Sequence, residues 1–301
     1  EHGGRGQGMS RVLVTGADGE IGRAVSDRLV ASGHQVTALS LAFGGAHPAD
    51  RQITGDATSR SDVEEAMRDV DAVAHFAAIP HPSLGTPYDV FRVNTSATFN
   101  VLTRAAEAGV RRAVIASSIN AIGYPNNPHD TFPPAFPLDV ETPPDIADAY
   151  SLSKLADEAT ARYAHRRYGI DVVALRFPLV KWPHVLRDVA DEVRADPARM
   201  AREGWAYLTM SDAVRAVERA LWADVAGAEG VPLSARDTLL DVPTAELLRR
   251  YAPAVEPPAH LAGHDALVDL TTARTVLGFE PRESIHDGTA TPYPALVRSD
   301  R

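Results

Sequence analysis

Along the first part of the chain, short continuous apolar runs alternate with stretches of helical period. Val12–Val14, Gln35–Leu39, Gln52–Thr54, Asp71–Phe76, Ala113–Ala116 and Asp171–Leu175 read as strands. Runs that are apolar throughout suit a parallel sheet buried on both faces. The intervening segments read as helices. Arg23–Ser32 is closed by Gly33, and Tyr88–Ala108 ends at Gly109. Asp62–Asp69 carries Ser61 as its expected cap with Glu64 at the third position, and Ala149–Tyr168 follows the fifth strand. This order predicts an α/β fold. After Pro178 the alternation weakens: residues 185–203 look helical, Trp205–Thr209 a strand, and Asp212–Trp222, Thr244–Tyr251 and Thr271–Leu277 short helices.

The first strand runs into T-G-A-D-G-E-I-G, Thr15 to Gly22, with glycines at G-x-x-G-x-x-G spacing. Residues without a Cβ let backbone N–H groups approach a pyrophosphate, and the helix N-terminus adds a favourable dipole. Between a buried strand and a helix, this favours a dinucleotide site, with an ordinary strand–turn–helix corner as the alternative. Its contacts are expected at Gly16, Gly19, Glu20, Ile21 and Gly22. An acid ending the second strand would bond the ribose hydroxyls and select against a 2′-phosphate, but Ser40 stands there. Asp18 disfavours the extra phosphate and Ser40 tolerates it, so NAD and NADP both remain open. Ala77 and Ala78, after the fourth strand, leave room for a flat cofactor.

Tyr150 and Lys154 lie four apart, on one face of a helix. A neighbouring ammonium favours an ionised phenol, which makes a general base or acid. Ser118, at the end of the fifth strand, is placed to bond the same substrate oxygen, and spacing to Gly123 favours it over Ser117. His81 and Asn120 are substrate candidates by loop position. The Pro-rich stretch Tyr124–Pro144 reads as a surface loop beside the site and a candidate lid.

A net charge of −10 without a basic stripe argues against nucleic acid. No run is long enough to span a membrane. Zero cysteines removes disulfides and thiolate chemistry and fits a cytoplasmic protein, while the 11 histidines form no metal-binding motif. Glu1–Gly8 is expected to be a disordered tail or added remnant, with Met9 as the natural start.

The chain resembles the extended short-chain dehydrogenase/reductase family, the NAD-dependent epimerase/dehydratase group. The matching pieces are Thr15–Gly22, G-D-A (Gly55–Ala57), H-F-A-A (His75–Ala78), Val93–Leu102, A-S-S-I-N-A-I-G (Ala116–Gly123), Y-S-L-S-K (Tyr150–Lys154), L-R-F-P (Leu175–Pro178) and L-G-F-E-P (Leu277–Pro281). The resemblance implies a doubly wound parallel Rossmann sheet with a small C-terminal substrate-binding part. It divides the chain into a nucleotide-binding part, 9–178, and a substrate-covering part, 179–301, that is not independent. It also implies Tyr150 as acid/base, Lys154 bonding the nicotinamide ribose, and Ser118 polarising the substrate oxygen. Asp56 and Ala57 would sit against adenine, and Phe177 and Pro178 near the nicotinamide. Asn94 matches a family helix residue, with a structural role equally open.

A-S-S-I-N-A-I-G-Y is most similar to the uronate-dehydrogenase-like branch, where Arg202 falls at the place of a substrate-carboxylate Arg. The expected activity is NAD(P)-dependent hydride transfer on a small sugar-like substrate. Nucleotide-sugar epimerisation or dehydration with retained NAD is the alternative, and a non-catalytic dinucleotide sensor is an alternative of another class. Relatives that dimerise through their two long helices suggest a homodimer.

Overall fold

The computed structural model describes residues 8–290, so the expected N-terminal tail lies outside them apart from Gly8. The chain begins β1 (Arg11–Thr15), α1 (Glu20–Ala31), β2 (Gln35–Ser40), β3 (Arg51–Thr54) and α2 (Arg60–Ala66). It continues β4 (Ala72–His75), α3 (Pro87–Glu107), β5 (Arg112–Ser118), α4 (Ala149–Tyr168) and β6 (Asp171–Phe177). The rest is β7 (Leu179–Lys181), α5 (Pro183–Ala195), β8 (Tyr207–Thr209), α6 (Met210–Trp222), β9 (Ala228–Pro232), α7 (Thr244–Tyr251) and α8 (Thr271–Leu277).

Seven strands form one parallel sheet in the order β3-β2-β1-β4-β5-β6-β9, and β7 pairs with β8 in a separate ribbon. Successive residues of β1 feed opposite layers. Val12 and Val14 pack with Val25 and Leu29 of α1 and with Ala213 and Val217 of α6. Leu13 packs with Val101 and Leu102 of α3 and Ala161 of α4. Covering both faces is what all-apolar strands require, and it makes the sheet doubly wound. Strand order reverses between β1 and β4, which opens a crevice beyond their carboxyl ends.

Side-chain caps set the helix starts. Thr86 caps α3 and Asp148 caps α4 by accepting backbone N–H groups, and Gly169, left-handed at φ 75°, closes α4. The expected Ser61 cap is corrected to Ser59, which accepts from the Asp62 N–H. The helix starts earlier because the Asp62 carboxylate is drawn back to the Asp56 N–H at 2.8 Å.

The helix expected over 185–203 is two pieces. α5 ends at Ala195, and a 3₁₀ helix restarts at Pro197 and runs to Glu203. Pro197 cannot donate to the preceding turn and disfavours helical backbone at Asp196. The seventh strand, β9, escapes the sequence reading because A-E-G-V-P is neither continuously apolar nor alternating. Through β9 and α6 the chain after Pro178 returns to the main sheet. Its other segments build a second core that starts at Ile119 and Ile122 and gathers Leu186, Trp205, Tyr207 and Leu267. The Pro-rich stretch packs into that core through Phe136 and Leu138, which are buried, and the Leu138 N–H donates to the Leu267 carbonyl at 2.8 Å. No helix among the described residues is long and apolar enough to cross a membrane.

Candidate active site

A cavity of about 960 Å³ lies at the crevice. Gly16, Gly19, Glu20, Ile21 and Gly22 line it, with Ser40 after β2, Asp56 and Ala57 after β3, and Ala77 and Ala78 after β4. Ser118, Asn120, Tyr150, Lys154, Phe177 and Pro178 complete the nearby wall, and His81 stands exposed at its edge. Most residues singled out from sequence thus meet in one place.

The glycine turn is a tight backbone cradle. Gly16 has φ +62°, and a Cβ there would lie 2.7 Å from the Ala77 nitrogen. A Cβ on Gly22 would lie 2.2 Å from the Gly16 carbonyl oxygen. α1 starts at Gly19 without a side-chain cap, leaving its first N–H groups for an external anion. This donor set fits the pyrophosphate of a dinucleotide. Glu20 at the same helix start is paired with Lys181 at 2.5 Å, which offsets its charge. Asp18 is similarly occupied, taking Arg23 and the Gly44 N–H, each at 2.8 Å.

Tyr150 is 7 % exposed. The Lys154 ammonium lies 5.7 Å from its ring centre, donates to the Ala116 carbonyl at 2.7 Å and stands 3.6 Å from Asp157. Burial lifts the Asp157 carboxyl to about 6, against the pull of Lys154. The two serines are in different states. Ser117 donates to Glu158 at 2.7 Å, and Glu158 holds Arg176 with two bonds of 2.9 Å. Ser118 accepts from the backbone and side-chain amides of Asn120, both at 3.1 Å. Its own proton has only a long 3.4 Å contact to the Phe177 carbonyl.

Two of the singled-out residues do not face the cavity. Asn94 is fully buried, accepts from the Ile79 N–H at 2.7 Å and donates to Ser153, tying the loop after β4 to α4. Arg202 donates to the Asn127 carbonyl at 2.5 Å and pairs with Asp130 at 3.3 Å, so the Pro-rich loop occupies its guanidinium. The 3₁₀ helix instead brings Arg199, Met200 and Glu203 to the wall. Burial pushes the Glu203 carboxyl up to about 7, against the charge of Arg199. Met200 and Glu203, three apart, share one edge of that turn.

Under the site, His75 is buried between Thr15, at 2.6 Å, and Thr98, at 3.2 Å. Burial, then the Lys154 charge, lowers its pKa to about 3. The folded state therefore holds His75 neutral where the unfolded chain binds a proton. Stability present above about pH 6.5 should fall as the pH drops toward 3. Urea unfolding at stepped pH should show this acid decline, and His75→Asn should flatten it. Parallel acid limbs in the two proteins would refute the assignment.

The profile of the NAD dependent epimerase/dehydratase family matches residues 12–223. Among curated proteins, L-arabinose 1-dehydrogenase (NAD(P)(+)) of Haloferax volcanii is 29% identical over 287 residues, 92% of this chain and 98% of that protein. Uronate dehydrogenase of Pseudomonas putida is 28% identical over 170 residues, 56% of this chain and 60% of that protein. Among solved structures, MoeE5 in complex with UDP-glucuronic acid and NAD is similar at TM-score 0.70 and 25% identity, covering 94% of this chain and 97% of that one.

Proposed function

Because the chain belongs to the NAD dependent epimerase/dehydratase family, we propose that it is an NAD(P)-dependent oxidoreductase acting on a hydroxyl or keto carbon of a small sugar-like molecule. The observation that carries this reading is the convergence of Ser118, Tyr150 and Lys154 on the cavity that the glycine cradle opens into. When bound, a nicotinamide ring supplies the hydride acceptor or donor. The cradle and the α1 N-terminus would hold its pyrophosphate, Asp56 and Ala57 its adenine, and Lys154 its ribose.

The Tyr150 phenolic oxygen takes the substrate hydroxyl proton in oxidation and returns it in reduction. Ser118, whose O–H makes only the long contact to the Phe177 carbonyl, would turn it toward the same oxygen, while Asn120 keeps the serine lone pairs occupied. Lys154, fixed by the Ala116 carbonyl, keeps a positive charge beside the phenol. With Ser40 uncharged and Asp18 balanced by Arg23, NADP is accepted beside NAD.

Formation of reduced nicotinamide from NAD⁺ and NADP⁺, across uronic acids, neutral sugars and simple secondary alcohols, tests the proposal. Turnover on a sugar-like member is expected. The MoeE5 complex with a nucleotide sugar favours a second reading, epimerisation or dehydration. Protein purified with tightly held cofactor and silent across the panel would replace the first reading by the second.

The homodimer belongs to this proposal. Phe91 and Phe99 of α3 and Leu152 and Tyr163 of α4 are exposed, with Phe99 stacked on Tyr163 at 5.9 Å. Apolar side chains gathered on two adjacent long helices suit a second copy. Light scattering should give twice the chain mass; a monomer would rule the dimer out. The absence of cysteine supports a cytoplasmic setting.

A further inference from the structure

Beneath the cavity, a chain of buried polar side chains runs from the end of β1 to Lys154. The Thr15 hydroxyl accepts the Ala77 N–H at 3.3 Å and meets His75 Nδ1 at 2.6 Å. His75 Nε2 meets the Thr98 hydroxyl at 3.2 Å, and Thr98 bonds the Asp157 carboxyl. Asp157 in turn stands 3.6 Å from the Lys154 ammonium. Thr15, His75, Thr98 and Asp157 are each at most 3 % exposed, so bulk water does not compete for these bonds.

Counting protons gives the chain one direction. The Thr98 bond favours ionised Asp157, so Thr98 is its donor. A hydroxyl has one proton, and Thr98 must then accept from His75 Nε2. Neutral His75, which burial enforces, carries that single ring proton and accepts at Nδ1 from Thr15. Thr15 is left to accept from Ala77, as it does. The bonds agree without conflict as far as Asp157, whose Oδ1 has no partner.

A half-satisfied carboxyl thus sits directly behind the ammonium that the proposed mechanism uses. The charges acting on it are Lys154 and Glu158 of α4, and Glu158 is bound to Arg176 of β6 by two bonds of 2.9 Å. From α3 it meets Thr98, with His75 of β4 behind that hydroxyl. Burial lifts the carboxyl to about 6 against the pull of Lys154 and Thr98, so its charge changes just below neutral pH.

We propose that Asp157 is a positioning residue for catalysis: its carboxylate holds the Lys154 ammonium at the Ala116 carbonyl beside Tyr150, and its protonation loosens that hold and slows turnover. The proposal rests on the oxidoreductase reading of the same site. Asp157→Asn keeps the shape and removes the charge. Losing a buried charged partner should lower kcat by roughly 10- to 100-fold at pH 8. Acid neutralises the wild-type carboxyl but cannot change the amide, so the ratio of wild-type to variant kcat should shrink toward 1 by pH 5. Taking the ratio cancels the titration of other groups. A purely structural role would leave it constant with pH.

The ratio is measured from pH 5 to 8 with NAD⁺ and the sugar or alcohol of the panel that turns over fastest. A second readout needs no turnover. The chain has two lysines, Lys154 and Lys181, so Lys181→Arg assigns the side-chain ¹⁵N signals of NAD⁺-loaded protein. The Lys154 signal should shift with a midpoint near pH 6, and Asp157→Asn should abolish that transition. Thr98→Val keeps the carboxyl but removes a bond favouring its ionised form, so the midpoint should move to higher pH; this variant decides alone if Asp157→Asn does not fold. A silent substrate panel with the Lys154 transition present and Asp157-dependent would keep the Asp157–Lys154 coupling and remove the oxidoreductase reading instead. A pH-independent ratio, or a Lys154 signal that ignores Asp157, would overturn the inference.

Discussion

Tyr150→Phe should lower turnover by about 10²- to 10⁴-fold and leave NAD(P) affinity unchanged. In the proposed mechanism the phenolic oxygen exchanges the substrate hydroxyl proton, and phenylalanine keeps the ring that packs beside Lys154 at 5.7 Å. With the ring in place, α4 should still start at its Asp148 cap, and Lys154 should still reach the Ala116 carbonyl. The variant therefore removes one hydroxyl from an otherwise standing site. Single-turnover rates with either nicotinamide, beside nucleotide titrations, separate the two properties. Undiminished turnover would remove Tyr150 from the acid/base role. Parallel loss of turnover and cofactor affinity would instead assign the residue to holding the cofactor.

What the sequence makes legible follows how local the governing physics is. β1 and β4 are visible because every residue between their ends is apolar, and burial on both faces demands nothing else. The Tyr150–Lys154 pair is visible because a helix puts residues four apart on one face. The partners that fix Lys154 are of two kinds. Asp157 is local, while the Ala116 carbonyl arrives through the pairing of β5 with β6 and the packing of α4 on the sheet. No spacing rule announces such a contact. The cavity wall built by the 3₁₀ helix is the least legible part. There, a break at Asp196–Pro197 changes the helical period, and contacts from a loop about 75 residues away in sequence decide where Arg202 points. Arg202 carries the chemistry a sugar acid would need, but its guanidinium is held elsewhere. Its neighbour Glu203 faces the cavity.

The glycine turn gives the other large effect. Gly22→Ala should weaken NAD(P) binding by about 100-fold or more and lower the melting temperature by several degrees. The added Cβ would fall 2.2 Å from the Gly16 oxygen, 2.9 Å from the Gly16 carbonyl carbon and 3.0 Å from the Ala17 Cα. All three are backbone atoms, so no side chain can swing aside. Either the β1–α1 turn opens or α1 slides along its axis. Sliding disturbs Val25 and Leu29, which pack α1 against the sheet layer shared with α6. Overpacking of this kind costs about 1–3 kcal/mol. Either shift also moves the uncapped N–H groups that would meet the pyrophosphate, and losing two charge-assisted bonds accounts for about 100-fold in affinity. Gly45→Ala is the control, because a Cβ there meets nothing within 4 Å. Calorimetry and nucleotide titration of both variants check the argument. Reduced stability in Gly22→Ala with wild-type nucleotide affinity would show that the α1 N-terminus does not hold the anion. Loss of both together, with Gly45→Ala unchanged, is the result that a backbone cradle requires.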